Sequence, residues 1–179
     1  MTVNSKTFVE IGVCDFDTLE PLLKQGWNGY FVEPIKKYAD KLSHLNVTNC
    51  AISNHDGAMK MYMSKETNQW SKGISHAVNQ QGECLLEYKG NQKYLDSIVT
   101  VPCMTLQSYF KENNIIEVDY LKMDTEGHEM DIFAVYDWSV KPTFMKIEHH
   151  HIDDIKLTKI LRDQGYVTYT EGRDMYCIR

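Results

Sequence analysis

The sequence predicts a Rossmann-like, doubly wound and mostly parallel α/β sheet, closed by an antiparallel C-terminal hairpin, in a single domain spanning 1–179. Two observations carry this. Apolar runs of strand length alternate with helical stripes through the first third of the chain. After an interruption the alternation resumes and ends on two strand-like runs about a tight Gly-Arg-Asp turn.

The first element is "TFVEIGV" (7–13), a continuous apolar run with one acid, as expected of a strand covered on both faces. Asp17 and Glu20 have the spacing of a capping box, and Pro21 is tolerated in a first helical turn whose N–H groups are unpaired anyway. Leu19, Leu22, Leu23 and Trp27 then make a helical stripe closed by Gly26. "GYFVEP" (29–34) is a second strand. Ile35, Tyr38, Ala39, Leu42 and Leu45 form a second stripe, and "VTNCAIS" (47–53) a third strand before the turn "NHDG".

Beyond that turn, "AMKMYMS" (58–64) alternates and is expected to pair with "SIVTVPC" (97–103). The intervening 65–96 is polar, with Trp70 and Tyr88 among Asn, Gln, Lys and Ser, and is expected to be a lid or substrate-side insertion. A helix with Leu106, Tyr109 and Phe110 leads to the strand "VDYLKMD" (118–124). A helix through Met130, Phe133 and Ala134 leads to the strand "TFMKIEHH" (143–150). The last helix carries Ile155, Leu157, Ile160 and Leu161, and "YVTYTE" and "MYCIR" form the hairpin.

With 179 residues, 42% hydrophobic and 25% charged, the chain has the composition of an ordinary globular domain. A net charge of −6 disfavours a nucleic-acid partner, whose phosphates are gripped by Lys and Arg. No apolar run reaches the roughly 18 residues of a membrane span, and "MTVNSK" is not a secretory leader, so a cytoplasmic location is expected. The five cysteines have no metal-binding spacing. Cys14, Cys50, Cys103 and Cys177 lie in or beside apolar runs and are expected to be small buried hydrophobes.

In such a sheet the ligand lies beyond the carboxyl ends of the strands, where the strand order reverses. Glu33 ends the second strand 23 positions after Glu10, a spacing that suits an acid reaching ribose hydroxyls. Both dinucleotide and adenosylmethionine sites use such an acid. The first turn, "GVCDFDT", distinguishes them. A pyrophosphate loop needs several glycines, whereas this turn keeps only Gly12 and sets Asp15 and Asp17 where phosphates would lie. S-adenosylmethionine has no phosphate; Glu10, Asp15 and Asp17 favour its cationic sulfonium and ammonium, and free turn N–H groups its carboxylate. An NAD(P)-dependent oxidoreductase is the alternative enzyme, and a non-catalytic binding domain of the same fold the alternative outside catalysis.

The segments "VEIG", "GYFVEP", "NCAISNHDG", "VPCMTLQSYF", "VDYLKMDTEGHEMDIF" and "MKIEHHH" occur in the order found in FkbM-type methyltransferases, and over residues 7–151 the chain resembles that family. "LKMDTEGHE" is the most specific piece. The resemblance implies the class I methyltransferase fold and S-adenosyl-L-methionine as cofactor, held by Glu10, Gly12, Glu33 with its neighbour Pro34, and Ala51, Ile52 and Ser53. It also implies Asp124 at the reaction centre and a hydroxyl of a sugar, glycan or other small molecule as acceptor. The family pattern often has Asn and a second Gly where this chain has Cys14 and Phe16.

Methyl transfer to an alcohol needs alignment and a proton acceptor. Asp124, Glu126, His128 and Glu129 follow the fourth parallel strand, and Glu148, His149, His150 and His151 the fifth. If the fifth strand stays extended, Glu148 and His150 point one way and His149 and His151 the other. Asp124 and His149 are the leading catalytic candidates, followed by Glu126 and His128. Mg²⁺ or Mn²⁺ would suit such side chains, but no zincin or cysteine spacing is present, and a site without metal is the favoured expectation. The sequence does not define an oligomeric state.

Overall fold

The computed structural model describes residues 5–14, 19–65, 75–78 and 95–179. Its main sheet has seven strands. In chain order the strands of the protein are β1 (Thr7–Ile11), β2 (Asn28–Val32), β3 (Val47–Thr48), β4 (Ala51–Ile52), β5 (Gly57–Ser64), β6 (His76–Ala77), β7 (Leu95–Met104), β8 (Tyr120–Met123), β9 (Phe144–Glu148), β10 (Val167–Glu171) and β11 (Asp174–Ile178). The seven-stranded order is β10-β11-β9-β8-β1-β2-β3, with parallel pairing from β9 through β3 and antiparallel pairing of β10 and β11 at the other edge. β1 is thus flanked by β2 on one side and β8 on the other, and the winding direction changes there.

The strands of this sheet read as apolar runs because both of their faces are covered. On one face Val9, Ile11, Leu121, Met123, Met145 and Ile147 join Tyr109, Phe110, Ile132, Phe133, Leu157 and Leu161 in a single buried cluster. Those helical residues come from α3 (Leu106–Glu112), α4 (Glu129–Val135) and α5 (Asp154–Asp163). Phe8 and Phe31 face the other way and pack edge to face, 5.3 Å between ring centroids, with Leu19 and Leu42 beside them. Thr105 and Asp153 cap α3 and α5 with side-chain oxygens, as their residue types favour.

The first two helices are shorter than their stripes suggest. α1 covers only Glu20–Leu23, and α2 covers Lys36–Ala39 before a 3₁₀ turn at Asp40–Leu42. The apolar stripes persist nonetheless: Leu19, Ile35, Tyr38, Ala39 and Leu42 are all buried. Packing follows the pattern while the hydrogen-bond ladder does not. Asp17, the expected cap, lies outside the described residues.

The expected third strand, 47–53, divides in two. β3 ends at Thr48, and β4 belongs to a second, four-stranded sheet of order β4-β7-β5-β6. Asn49 causes the break: its amide donates to the carbonyls of Glu33 and Pro34, at 2.8 and 2.9 Å, where a continuing β3 would have extended its ladder. β4 runs parallel to β7, and β5 pairs antiparallel with β7 along its whole length, as its alternation anticipates. Of the expected lid, most lies outside the described residues; β6 and the start of β7 are the described strand segments within it. Cys14, Cys50, Cys103 and Cys177 are buried and form no disulfide, and burial pushes the Cys50 and Cys177 thiols up to about 12.

Candidate active site

A cavity of about 250 Å³ opens at the carboxyl ends of β1, β2, β4 and β8, where the sheet changes winding direction. Its wall includes Gly12, Cys14, Glu33, Pro34, Ala51, Ile52, Asp124, Glu126 and His128. The chain builds this corner by close backbone approach. Gly12 has φ +82°, and a Cβ there would lie 1.8 Å from the carbonyl oxygen of Asp124, so only glycine lets the ends of β1 and β8 meet.

Glu33 is the most tightly held acid on this wall. One carboxylate oxygen accepts from the Cys14 N–H and the other from the Ile35 N–H, each at 2.7 Å, and the residue is 4% exposed. The two bonds orient the carboxylate on the cavity wall. Its rotamer is fixed before any ligand arrives.

Glu10 is not on the cavity wall. It is fully buried beside β8, its register partner there is Lys122, and the two side chains form an ion pair. Its second oxygen accepts from the Leu19 N–H at 3.3 Å. The sequence reading placed this charge toward the ligand; the structure shows it engaged by a lysine of the adjacent strand. Asp15 and Asp17 lie outside the described residues.

Asp124, Glu126, Glu129 and Glu148 come together at the ends of β8 and β9. Burial raises the Asp124 carboxyl above its usual range against the pull of Lys122. Burial, then Glu148 and Asp124, push Glu126 up to about 9; burial, then Asp124 and Glu129, push Glu148 up to about 8. Glu126 also has φ +53° in the Thr-Glu-Gly turn, an uncommon conformation for a residue with a side chain. Glu129 is 1% exposed and accepts from the N–H and hydroxyl of Thr125, both at 2.7 Å, which fixes that turn on the start of α4.

His128 serves as a tie. Its Nε2 lies 3.0 Å from the hydroxyl of Ser53, and its Nδ1 lies 3.1 Å from the carboxylate of Asp131. Ser53 is off the wall but holds the end of β4 to the β8 turn through this contact. His149 is also off the wall; its N–H donates to the carbonyl of Arg173 at 2.9 Å. β9 ends at Glu148 and the chain turns at once, so the expected alternation through 148–151 does not hold. His151 thereby comes round to Glu126, its Nε2 3.5 Å from the Glu126 carboxylate.

Several wall residues were not expected from sequence. Tyr38, Met59 and Met61 are there because the second sheet folds over the strand ends, and Arg173 because the C-terminal turn reaches across. Arg173 carried no signal beyond its place in a tight turn.

The profile of the methyltransferase FkbM domain matches residues 9–168, most of the chain. The chain belongs to the FkbM methyltransferase family. No curated protein matches it. For an FkbM methyltransferase, the cavity at the change of winding direction is where a cofactor site is expected in any open parallel sheet. Among the described residues no helix is long and apolar enough to cross a membrane.

Proposed function

We propose that this FkbM-family protein is an S-adenosylmethionine-dependent O-methyltransferase of Rossmann-like class I architecture, acting on a hydroxyl of a sugar, glycan or other small molecule. The observation that carries the reading is Glu33, anchored through both oxygens at the rim of a cavity whose wall also carries Asp124, Glu126 and Glu148. The excess of acid favours a cationic ligand over a pyrophosphate, since Lys122 is engaged by Glu10 and Arg173 is the one other Lys or Arg among the described wall residues.

In this reading Glu33 accepts from the ribose hydroxyls. Ala51 and Ile52 form an apolar wall for the adenine, and the Gly12 turn brings backbone close to the methionine end. S-adenosylmethionine bound there would supply an electrophilic methyl, a C–O bond replacing the C–S bond whose electrons stay on sulfur, while residues of this chain align the acceptor hydroxyl and receive its proton. Asp124, at the end of β8, takes up the acceptor's proton. Ser75 and Ala77 on the cavity wall support a role for 65–96 over the acceptor.

Calorimetric titration with S-adenosylhomocysteine tests the proposal. A single saturable site, with no binding of NADH, is the expected result. NADH binding without adenosylhomocysteine binding would replace it with the oxidoreductase reading.

A further inference from the structure

We propose that Glu126, Glu148 and His151 form a binding site for a divalent cation of the Mn²⁺ class on the β8–β9 side of the cavity. Glu126 follows β8, Glu148 ends β9, and His151 is returned to them by the turn after β9. One ligand atom from each side chain lies within 4.8 Å of the others. An ion with bonds of about 2.1 Å holds its ligands roughly 3 to 4 Å apart. Small rotamer changes therefore close the three donors on one centre, and the 3.5 Å contact between His151 and Glu126 already has the spacing of neighbouring ligands.

Charge makes the case beyond proximity. Glu148 has a buried carboxylate oxygen, Oε2, with no hydrogen-bond partner among the described residues, and Glu129, 1% exposed, has another. The field of Glu129 acts on both Glu126 and Glu148. Buried acceptors are normally satisfied, so two bare carboxylate oxygens beside one cluster point to a missing cation. Arg173 lies on the same wall.

Two carboxylates and one imidazole form a mixed oxygen and nitrogen set, which suits Mn²⁺ better than the all-oxygen preference of Ca²⁺. Three protein ligands leave positions open for acceptor hydroxyls, whose coordinated oxygen would lose its proton more easily. That last role rests on the methyltransferase reading; the cation site does not.

The test is calorimetric titration of the EDTA-treated full chain with MnCl₂, beside Glu126→Gln and His151→Ala, with adenosylhomocysteine titrated into each sample. The expected result is one saturable Mn²⁺ site per chain, weakened at least about tenfold in both variants. Glu126→Gln removes a crowded acid without changing shape, so it should keep the metal-free melting temperature while losing the rise that Mn²⁺ gives the wild type. Absence of saturable Mn²⁺ binding, or wild-type affinity in a folded Glu126→Gln, would overturn the site. Failure of Mn²⁺ with adenosylhomocysteine still bound would remove only this inference. The reverse pattern would keep the cation site and remove the methyltransferase role.

Discussion

Glu10 and Lys122 sit directly opposite each other on β1 and β8 and form an ion pair, with side-chain exposures of 0% and 12%. An acid inside a two-sided sheet is thereby neutralised in place. Removing only the lysine leaves a buried charge without its partner, which costs about 3–5 kcal/mol. Lys122→Met is therefore expected to lower stability by that amount in urea denaturation, and adding Glu10→Leu is expected to recover most of it. Equal losses in the single and double variants would show that the pair itself matters little.

Gly12 meets the Asp124 carbonyl so closely that no side chain fits, and its φ of +82° penalises any L residue. Gly12→Ala is expected to destabilise by about 2 kcal/mol or more, measured by chemical denaturation. The same variant should bind adenosylhomocysteine poorly, because the ends of β1 and β8 must separate. A variant as stable as wild type would mean that the strand ends are looser than described.

These two positions show what was legible in the sequence and what was not. The apolar runs of β1, β2, β8 and β9 located the sheet, and the ends of those runs located Gly12, Glu33 and Asp124, all on the cavity wall. The fate of Glu10 was not legible, because its partner lies 112 positions away and is fixed by sheet register. The break in the third strand depends on one side chain, Asn49, reaching the carbonyls after β2. The tandem histidines misled for a local reason: strand periodicity was extended past Glu148, where the chain has already turned, so His151 and not His149 approaches the acids.

Asp56 ties the loop after β4 to the start of α3. Its carboxylate accepts from the Thr105 N–H at 2.7 Å and from the Ser108 hydroxyl at 2.8 Å, and these bonds hold it below its ordinary 3.8. A depressed folded value means that the stabilisation is present above pH 3.8 and is lost as pH falls through the lowered folded value. Asp56→Asn is thus expected to lower the melting temperature at neutral pH and to flatten its fall in that acid range. An unchanged acid limb in thermal melts from pH 6 down to pH 2 would contradict this.

The account depends most on Glu33 as the group that receives the cofactor's sugar. Calorimetry with adenosylhomocysteine on wild type and on Glu33→Gln, each shown to be folded by circular dichroism, tests it directly. Loss of a charged acceptor predicts affinity weakened about tenfold or more in the variant. Unaltered affinity in a folded Glu33→Gln, or no binding by the wild type, would contradict it.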